Sequence, residues 1–289
     1  MLSASAPAKI NWTLDVLGRR PDGYHEVATV MSAISLSDEI TVSSAPEWRV
    51  TVDAPDGVRD ELAGDENLVH RAALAFAAAY RERVRPAHIH LTKRIPLAAG
   101  LGGGSSDAAT TLRLLAELHG IDDRGKLHEL AASLGSDVPF FLDGGTALAT
   151  GRGETLRSLP EPAVAWSVLL VPPLHLDRKT ARLYSLLAHS DYSDGAHSAS
   201  LVGRLTEGGV TIVESDISNT FERAADDAFP GLARYRRLLT DAAGVPAHLC
   251  GAGPSLFALA TNERVAHDAA GALTQAGHVA FAVSAGQDG

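Results

Sequence analysis

Cysteine is nearly missing from this chain: Cys250 is the single one in 289 residues. One thiol cannot close an intrachain disulfide, and a cysteine-rich zinc site is excluded with it. Long apolar runs are missing too. No stretch approaches the ~18 residues that a membrane-spanning helix needs, and no basic segment followed by an apolar one stands at the amino terminus. A cytoplasmic protein with no membrane partner is expected. Basic residues are in deficit, 25 Lys and Arg against 35 Asp and Glu, for a formal net charge of −10. That balance disfavours nucleic acid as a partner but leaves room for a local basic pocket around a phosphorylated metabolite. The 12 histidines are scattered without a His-Glu-x-x-His pattern, so no metal held by protein ligands alone is expected. What is present is ordinary for a globular protein, 45% apolar and 21% charged residues in a chain long enough for two domains with real cores.

The most informative stretch is Pro96-Leu97-Ala98-Ala99-Gly100-Leu101-Gly102-Gly103-Gly104-Ser105-Ser106-Asp107-Ala108-Ala109. Four glycines in five positions let the backbone turn tightly and bring its N–H groups close to a ligand. A helix is expected to follow, with Ser105 and Ser106 as N-cap residues and Ala108, Leu112, Leu115 and Leu118 on its apolar face. A helix N-terminus reached through such a loop offers unpaired donors and partial positive charge to an anion. The loop is therefore either a phosphate cradle or a plain glycine-rich connection. It is not a Walker loop, since no Gly-Lys-Ser/Thr ends it, and Ser105 stands where a dinucleotide fingerprint wants its third glycine.

Before the loop, residues 3–18 alternate, with Ile10, Trp12, Leu14 and Val16 between Lys9, Asn11, Thr13 and Asp15. This is the pattern of a half-buried strand that leaves Lys9 and Asn11 on the solvated face. A turn at Gly18–Glu26 carries Tyr24 and His25; strand-like runs fill Val27–Val52, interrupted by Ser-Asp and Ala-Pro breaks. Asp65 is the expected cap of a helix through Tyr80, and Ala87–Leu91 a short strand. After the loop helix another runs over Arg124–Leu134 and stops at Gly135-Ser136-Asp137-Val138-Pro139, where Asp137 either caps the next turn or is a reactive carboxylate. Strands are expected at Gly144–Thr150 and Ala163–Val171, with a domain junction at Pro160-Glu161-Pro162. Helices over Asp177–Ala188, Leu201–Thr206, Asn219–Asp227 and Gly231–Ala243 come next, and His189–Ser198 reads as a surface loop. A hairpin, Ala247–Cys250 and Leu256–Ala260 around Gly251-Ala252-Gly253-Pro254-Ser255, precedes a helix over Glu263–Gln275 and a strand over Val279–Val283. The order suits an α+β layered fold.

Three segments together carry a resemblance. Pro96–Ala109 resembles the phosphate loop of the GHMP small-molecule kinases, Gly251–Ser255 resembles their third motif, and Gly-x-Asp-Val-Pro at 135–139 is similar to the place where one branch keeps a catalytic aspartate. Ala8-Lys9-Ile10-Asn11 and Arg20-Pro21-Asp22-Gly23-Tyr24-His25 resemble the amino-terminal signature of that same branch. The resemblance implies an amino-terminal α/β domain like ribosomal protein S5 over 1–160 and a ferredoxin-like α+β domain over 161–289. It implies an ATP-dependent kinase acting on the 2-hydroxyl of a cytidine diphosphate methylerythritol in the non-mevalonate isoprenoid pathway, as a monomer or weak homodimer. Carried over, Asp137 is the general base and Lys9 assists it. Pro96, Ala98–Leu101 and Gly102–Ser106 hold ATP, with Ser105 or Ser106 near the Mg²⁺ that accompanies it, and Asn67 and Lys93 line the adenosine side. Tyr24 and His25 hold the cytosine, Thr180 and Tyr184 close over it, and Asn11, Gly251 and Gly253 meet the remaining substrate. Ser218-Asn219-Thr220-Phe221-Glu222 departs from the family's usual Asn-Asp pair and reads as structural support.

Overall fold

The computed structural model describes residues 1–54, 62, 64, 67–208 and 210–285. Its strands and helices gather into two compact units. The first takes Met1–Ala8, Leu36–Leu97 and Gly102–Gly144; the second takes Lys9–Ser35, Ala98–Leu101 and the chain from Gly145 on. Among the described residues no helix is long and apolar enough to cross a membrane.

The first unit contains the start of β1 (Leu2–Arg19) and the end of β2 (His25–Ser44), then β3 (Arg49–Asp53), α1 (Leu68–Tyr80), β4 (Ala87–Thr92), α2 (Gly103–Leu118), α3 (Arg124–Leu134) and α4 (Val138–Asp143). β4 runs antiparallel to β2, with Ile40 opposite Leu91 and Val42 opposite Ile89, and parallel to β3, with Val50 opposite Ile89. Because side chains alternate across a strand, Ile40, Val42, Ile89 and Leu91 are sealed from solvent together. Val69, Ala72, Ala73 and Phe76 face inward at helical spacing, and α1 packs on α2, which buries Ala108, Ala109, Leu112 and Leu115. Asn67 caps α1 by accepting from the Val69 N–H at 2.9 Å; Asp65 lies outside the described residues.

The Ser-Asp step at 37–38 does not break β2, which runs through it for 20 residues. Asp38 is fully buried inside the strand because the backbone N–H groups of Arg94 and Ile95 and the Lys93 amine all donate to it. A satisfied carboxylate can stay in a sheet interior.

The second unit takes the rest of β1 and β2 together with β5 (Thr146–Gly151), β6 (Thr155–Leu159), β7 (Ala165–Val171), α5 (Lys179–Leu186), α6 (Ala196–Glu207), β8 (Ser218–Asn219), α7 (Glu222–Ala228), α8 (Leu232–Ala243), β9 (His248–Leu249), β10 (Leu256–Ala260), α9 (Glu263–Gln275) and β11 (Val279–Ala285). β11, β7, β10 and β9 form an antiparallel run, with Leu170 between Leu256 and Ala280. Helices α8 and α9 pack on this run and bury Leu232, Leu239, Ala266, Ala269, Ala270 and Leu273 against Val168, Leu170, Leu256 and Ala258. Burying a leucine side chain in such a core is worth about 2 kcal/mol. Elsewhere in the unit β2 pairs with β5, β5 with β6, and β1 runs parallel to β8.

The stretch expected to be a surface loop, His189–Ser198, is partly helical and partly buried. It holds a 3₁₀ turn over His189–Asp191 and the first turn of α6, and Ser198 is buried. Ser193 and Ser198 donate to the buried Asp15 carboxylate on β1. Serines make a run look solvent-seeking, yet these hydroxyls satisfy a carboxylate that is nearly 180 positions away in sequence.

Candidate active site

Strand β1 contradicts the expected solvated face. Lys9, Asn11, Thr13 and Asp15 are as buried as the apolar residues between them. They remain inside because each polar atom hands on to the next. Lys9 Nζ donates to Asn11 Oδ1 at 2.5 Å, Asn11 Nδ2 to Thr29 Oγ1 at 2.7 Å, and Thr29 Oγ1 to the Thr13 carbonyl at 2.6 Å. Lys9 makes no ion pair among the described residues, so a buried ammonium stands against one neutral amide. A charge held that way attracts an anion.

Beside Lys9 three glycines pack backbone against backbone. A Cβ on Gly100 would fall 2.5 Å from the Cys250 carbonyl and 2.9 Å from that of Gly253. One on Gly251, at φ +53°, would meet the Gly100 carbonyl and Lys9 Nζ at 3.1 Å each and Asn11 Oδ1 at 3.2 Å. Only glycine fits such approaches. The Gly251–Ser255 turn is closed by Gly253 N–H to the Cys250 carbonyl at 2.8 Å, and Ser255 N–H reaches the Ala99 carbonyl at 3.2 Å. Asn219 Nδ2 holds the turn from behind, donating to the carbonyls of Leu249 and Gly251. This is the support expected of the segment 218–222, and Glu222 adds to it by accepting the Leu249 N–H.

Tyr24 and His25 part company at the end of their turn. The Tyr24 ring is 56% exposed, with the Arg152 guanidinium 4.7 Å from its centroid. His25 stacks on Tyr184, ring centroids 4.2 Å apart and planes 12° off parallel, and Tyr184 meets Phe221 edge-on at 5.0 Å. Burial, with the nearby charge of Arg19 second, holds the His25 imidazole below its ordinary value, so it is neutral at pH 7. Thr180 is exposed in the first turn of α5.

In the first unit, α2 begins at Gly103 with Gly102 as its N-cap, at φ +73°. Ser105 and Ser106, expected at the cap, sit one turn inside, because the glycines themselves adopt the helical start. With glycine at the cap no side chain occupies the first-turn N–H groups, which leaves them for a ligand. Ser106 is fully buried and its Oγ has no hydrogen-bond partner among the described residues. Lys93 lies beneath this turn, where a Cβ on Gly103 would touch its Nζ at 3.0 Å. Its amine pairs with Asp38 and, at 2.9 Å, with Asp107. Burial pushes the Asp107 carboxyl up to about 8, the Lys93 charge only partly opposing it and that of Asp38 adding to it. Asp137 is half-buried in the turn that opens α4, with Pro139 in that helix's first turn, and its side chain makes no capping bond.

Comparison with known proteins fits this arrangement. Residues 67–145 match the family model described as GHMP kinases N terminal domain, and 198–279 match GHMP kinases C terminal. A 4-diphosphocytidyl-2-C-methyl-D-erythritol kinase of Dehalococcoides mccartyi is 41% identical over 98% of both chains, and one of Pelotomaculum thermopropionicum is 42% identical over 90% of this chain and 89% of its own. The chain belongs to the family of 4-diphosphocytidyl-2-C-methyl-D-erythritol kinases. A solved 4-(cytidine 5'-diphospho)-2C-methyl-D-erythritol kinase superposes with a TM-score of 0.83 at 34% identity, covering 99% of this chain and all of its own. A mevalonate kinase of Methanococcus jannaschii, 12% identical with a TM-score of 0.68, shares the fold alone. The fold is thus the α+β GHMP kinase fold, and the chain is a kinase.

Of the site residues expected from this family's signature, the second unit brings Lys9, Asn11, Gly100, Gly251 and Gly253 into one cluster, and His25 and Tyr184 into another. The first unit places Lys93 directly under Gly103. Asn67 and Lys93 hold their surroundings by their own polar atoms: Asn67 caps α1 and donates to the Leu62 carbonyl, and the Lys93 amine faces two carboxylates. Four residues went unread in the sequence. Asp15 and Asp38 are buried carboxylates whose donors lie far along the chain, and Asp107, paired with Lys93 just before the glycine motif, sits inside that motif where it looked like a first-turn helix residue. Lys179 precedes Thr180 and has no role assigned from the sequence; its Nζ donates to the Ala98 carbonyl at 2.6 Å and the Gly253 carbonyl at 2.5 Å.

Proposed function

We propose that this chain transfers the γ-phosphoryl group of ATP to the 2-hydroxyl of 4-diphosphocytidyl-2-C-methyl-D-erythritol. The observation that carries the reading is the cluster around Gly251, where the first strand's Lys9 and Asn11, the start of the glycine-rich loop and the Gly251–Ser255 turn lie within van der Waals reach of one another. Nearly a hundred residues separate Lys9 from the loop and about 150 more separate the loop from the turn, yet all three meet around an ammonium that has no ion pair among the described residues. Phosphoryl transfer needs such positioned positive charge more than it needs covalent chemistry.

In this reading the first-turn N–H groups of α2 and the loop 98–106 receive the phosphates, with Pro96 setting the loop's entry. Lys9 balances charge that builds on the transferring group, and Asp137 accepts the proton of the attacking hydroxyl. Ser105 and the unpartnered hydroxyl of Ser106 are oxygen donors of the hard kind Mg²⁺ takes, and the ion would supply neutralisation of the triphosphate. Tyr24 offers its exposed ring to the cytosine and His25 a neutral ring nitrogen to the base edge, with Tyr184 behind it and Thr180 at the rim. Asn11 orients the methylerythritol end. We place the enzyme in the cytoplasm, as a monomer or weak homodimer.

A steady-state assay comparing the cytidine substrate with mevalonate, each with ATP, tests the assignment. Turnover of mevalonate at equal efficiency, or no turnover of either, refutes it. Asp137→Asn is expected to lower kcat by about 10² or more while ATP affinity stays nearly unchanged. Retention of most turnover in that variant removes Asp137 from its role.

A further inference from the structure

Two non-glycine residues among those described hold a positive φ, Ala98 at +51° and Arg178 at +49°. An L side chain is disfavoured there, so something must hold each in place. The two are joined by one side chain. Lys179, next to Arg178, reaches over to the Ala98 carbonyl at 2.6 Å and to the Gly253 carbonyl at 2.5 Å. Ala98 opens the glycine-rich loop, and Gly253 belongs to the turn that Gly100 packs against.

We propose that Lys179 is a positioning residue for ATP: its ammonium ties the left-handed turn at Ala98 to the Gly251–Ser255 turn and so fixes the start of the phosphate loop.

An ordinary surface lysine extends into water, where its charge is best solvated. Lys179 instead turns inward to two carbonyl oxygens and pairs with no carboxylate among the described residues. Its charge is disfavoured there. Burial first, then the like charge of Lys9, push the amine down to about 8, the Cys250 thiol opposing weakly. Lys9 and Cys250 are the titratable groups that act on it. Among the described residues the return for that placement is the two carbonyl bonds, and both lie on backbone that the phosphate-binding role requires to be rigid. Ser255 N–H to the Ala99 carbonyl is a second tie one residue on, so removal of Lys179 loosens Ala98 while leaving the turn itself closed. A point-charge donor with three protons can serve two carbonyls at once, which no neutral side chain of that length can do as well.

The inference rests on the ATP-dependent reading above, and steady-state kinetics with ATP and the cytidine substrate varied in turn separate the two. If the wild-type enzyme shows no ATP-dependent turnover, that reading fails. If the wild type is active, Lys179→Met is expected to raise KM for ATP by about tenfold, with KM for the cytidine substrate within about twofold and the melting temperature nearly kept. Ala98→Gly added to Lys179→Met is expected to restore most of the lost ATP affinity, because glycine holds a positive φ without a clamp. Lys179→Arg, which keeps the cation and its donors, is expected to stay within about threefold of wild type. Ala98→Val leaves Lys179 intact and strains the same turn from the other side, and it is expected to weaken ATP alone, which keeps the test open should Lys179→Met fail to fold. An unchanged KM for ATP in Lys179→Met or in Ala98→Val overturns the proposal. Equal losses for both substrates, or no recovery on adding Ala98→Gly, overturn it as well.

Discussion

Asp107→Asn should make the enzyme's stability less sensitive to pH without unfolding it. Lys93 faces two buried carboxylates, and they are not equivalent. Asp38 also accepts the N–H groups of Arg94 and Ile95, at 2.5 and 2.8 Å, so three donors converge on it. Asp107 has Lys93 as its one cationic donor among the described residues, its Oδ1 has no partner among them, and burial with the neighbouring Asp38 pushes its carboxyl up to about 8. At pH 7 the folded enzyme therefore carries a proton on Asp107 that the unfolded chain loses near its ordinary value of 3.8. A carboxyl raised in the folded state gives its full stabilisation below the unfolded value and loses it as pH rises through the folded one. From this single group stability falls by about 1.4 kcal/mol per pH unit between roughly pH 4 and 8. Asparagine keeps the volume, can accept from Lys93 through its oxygen, and has no proton to lose. Urea unfolding at pH 5, 6 and 7, followed by circular dichroism, should show the difference between variant and wild type shifting in the variant's favour by about 3 kcal/mol over those two units. Asp38→Asn, by contrast, should cost about 3 kcal/mol at pH 7, since it breaks a buried ion pair that also serves two backbone donors. A constant difference across the pH series, or equal damage from the two substitutions at pH 7, would refute the assignment of the proton to Asp107.

Other substitutions probe the second unit. Gly251→Ala places a methyl group against Lys9 Nζ and the Gly100 carbonyl at a φ of +53°; the fold should lose about 1 to 2 kcal/mol and kcat/KM should drop at least about tenfold, and an alanine variant of full activity would show that the turn is looser than drawn. Tyr24→Ala removes the exposed ring beneath Arg152. It should raise KM for the cytidine substrate about tenfold and leave that for ATP alone, by analogy with base stacking on aromatic side chains. Equal shifts for both ligands in a steady-state assay would count against a base-stacking role.

Local signals carried far in this chain because most elements obey local rules. Helices α3 and α9 begin and end where capping and periodicity place them, at Arg124–Leu134 and Glu263–Gln275. Gly251–Ser255 forms the turn expected between the strands of its hairpin. What stayed hidden was polar residues satisfied from a distance. Alternation put Lys9 on a wet face, since nothing nearby in sequence reveals the Thr29 that completes its hydrogen-bond chain. Asp38 looked like a strand breaker for the same reason: its donors are 55 to 57 positions on. Ser193 and Ser198 resembled loop residues until Asp15 supplied the reason for their burial. Lys179 had no signal at all, because a lysine that donates to backbone carbonyls leaves no side-chain partner in the sequence to look for.

The way the chain is divided bears on any attempt to dissect it. Lys9–Ser35 belongs with the long carboxy-terminal stretch that starts at Gly145, whereas Met1–Ala8 and Leu36–Leu97 belong with the helices of Gly102–Gly144, and Ala98–Leu101 makes a four-residue visit in between. No single cut yields either half as an uninterrupted gene fragment. Recombining such an enzyme with a relative by exchanging front and back segments would therefore split both hydrophobic interiors at once, and a working chimera would have to be spliced from several alternating pieces.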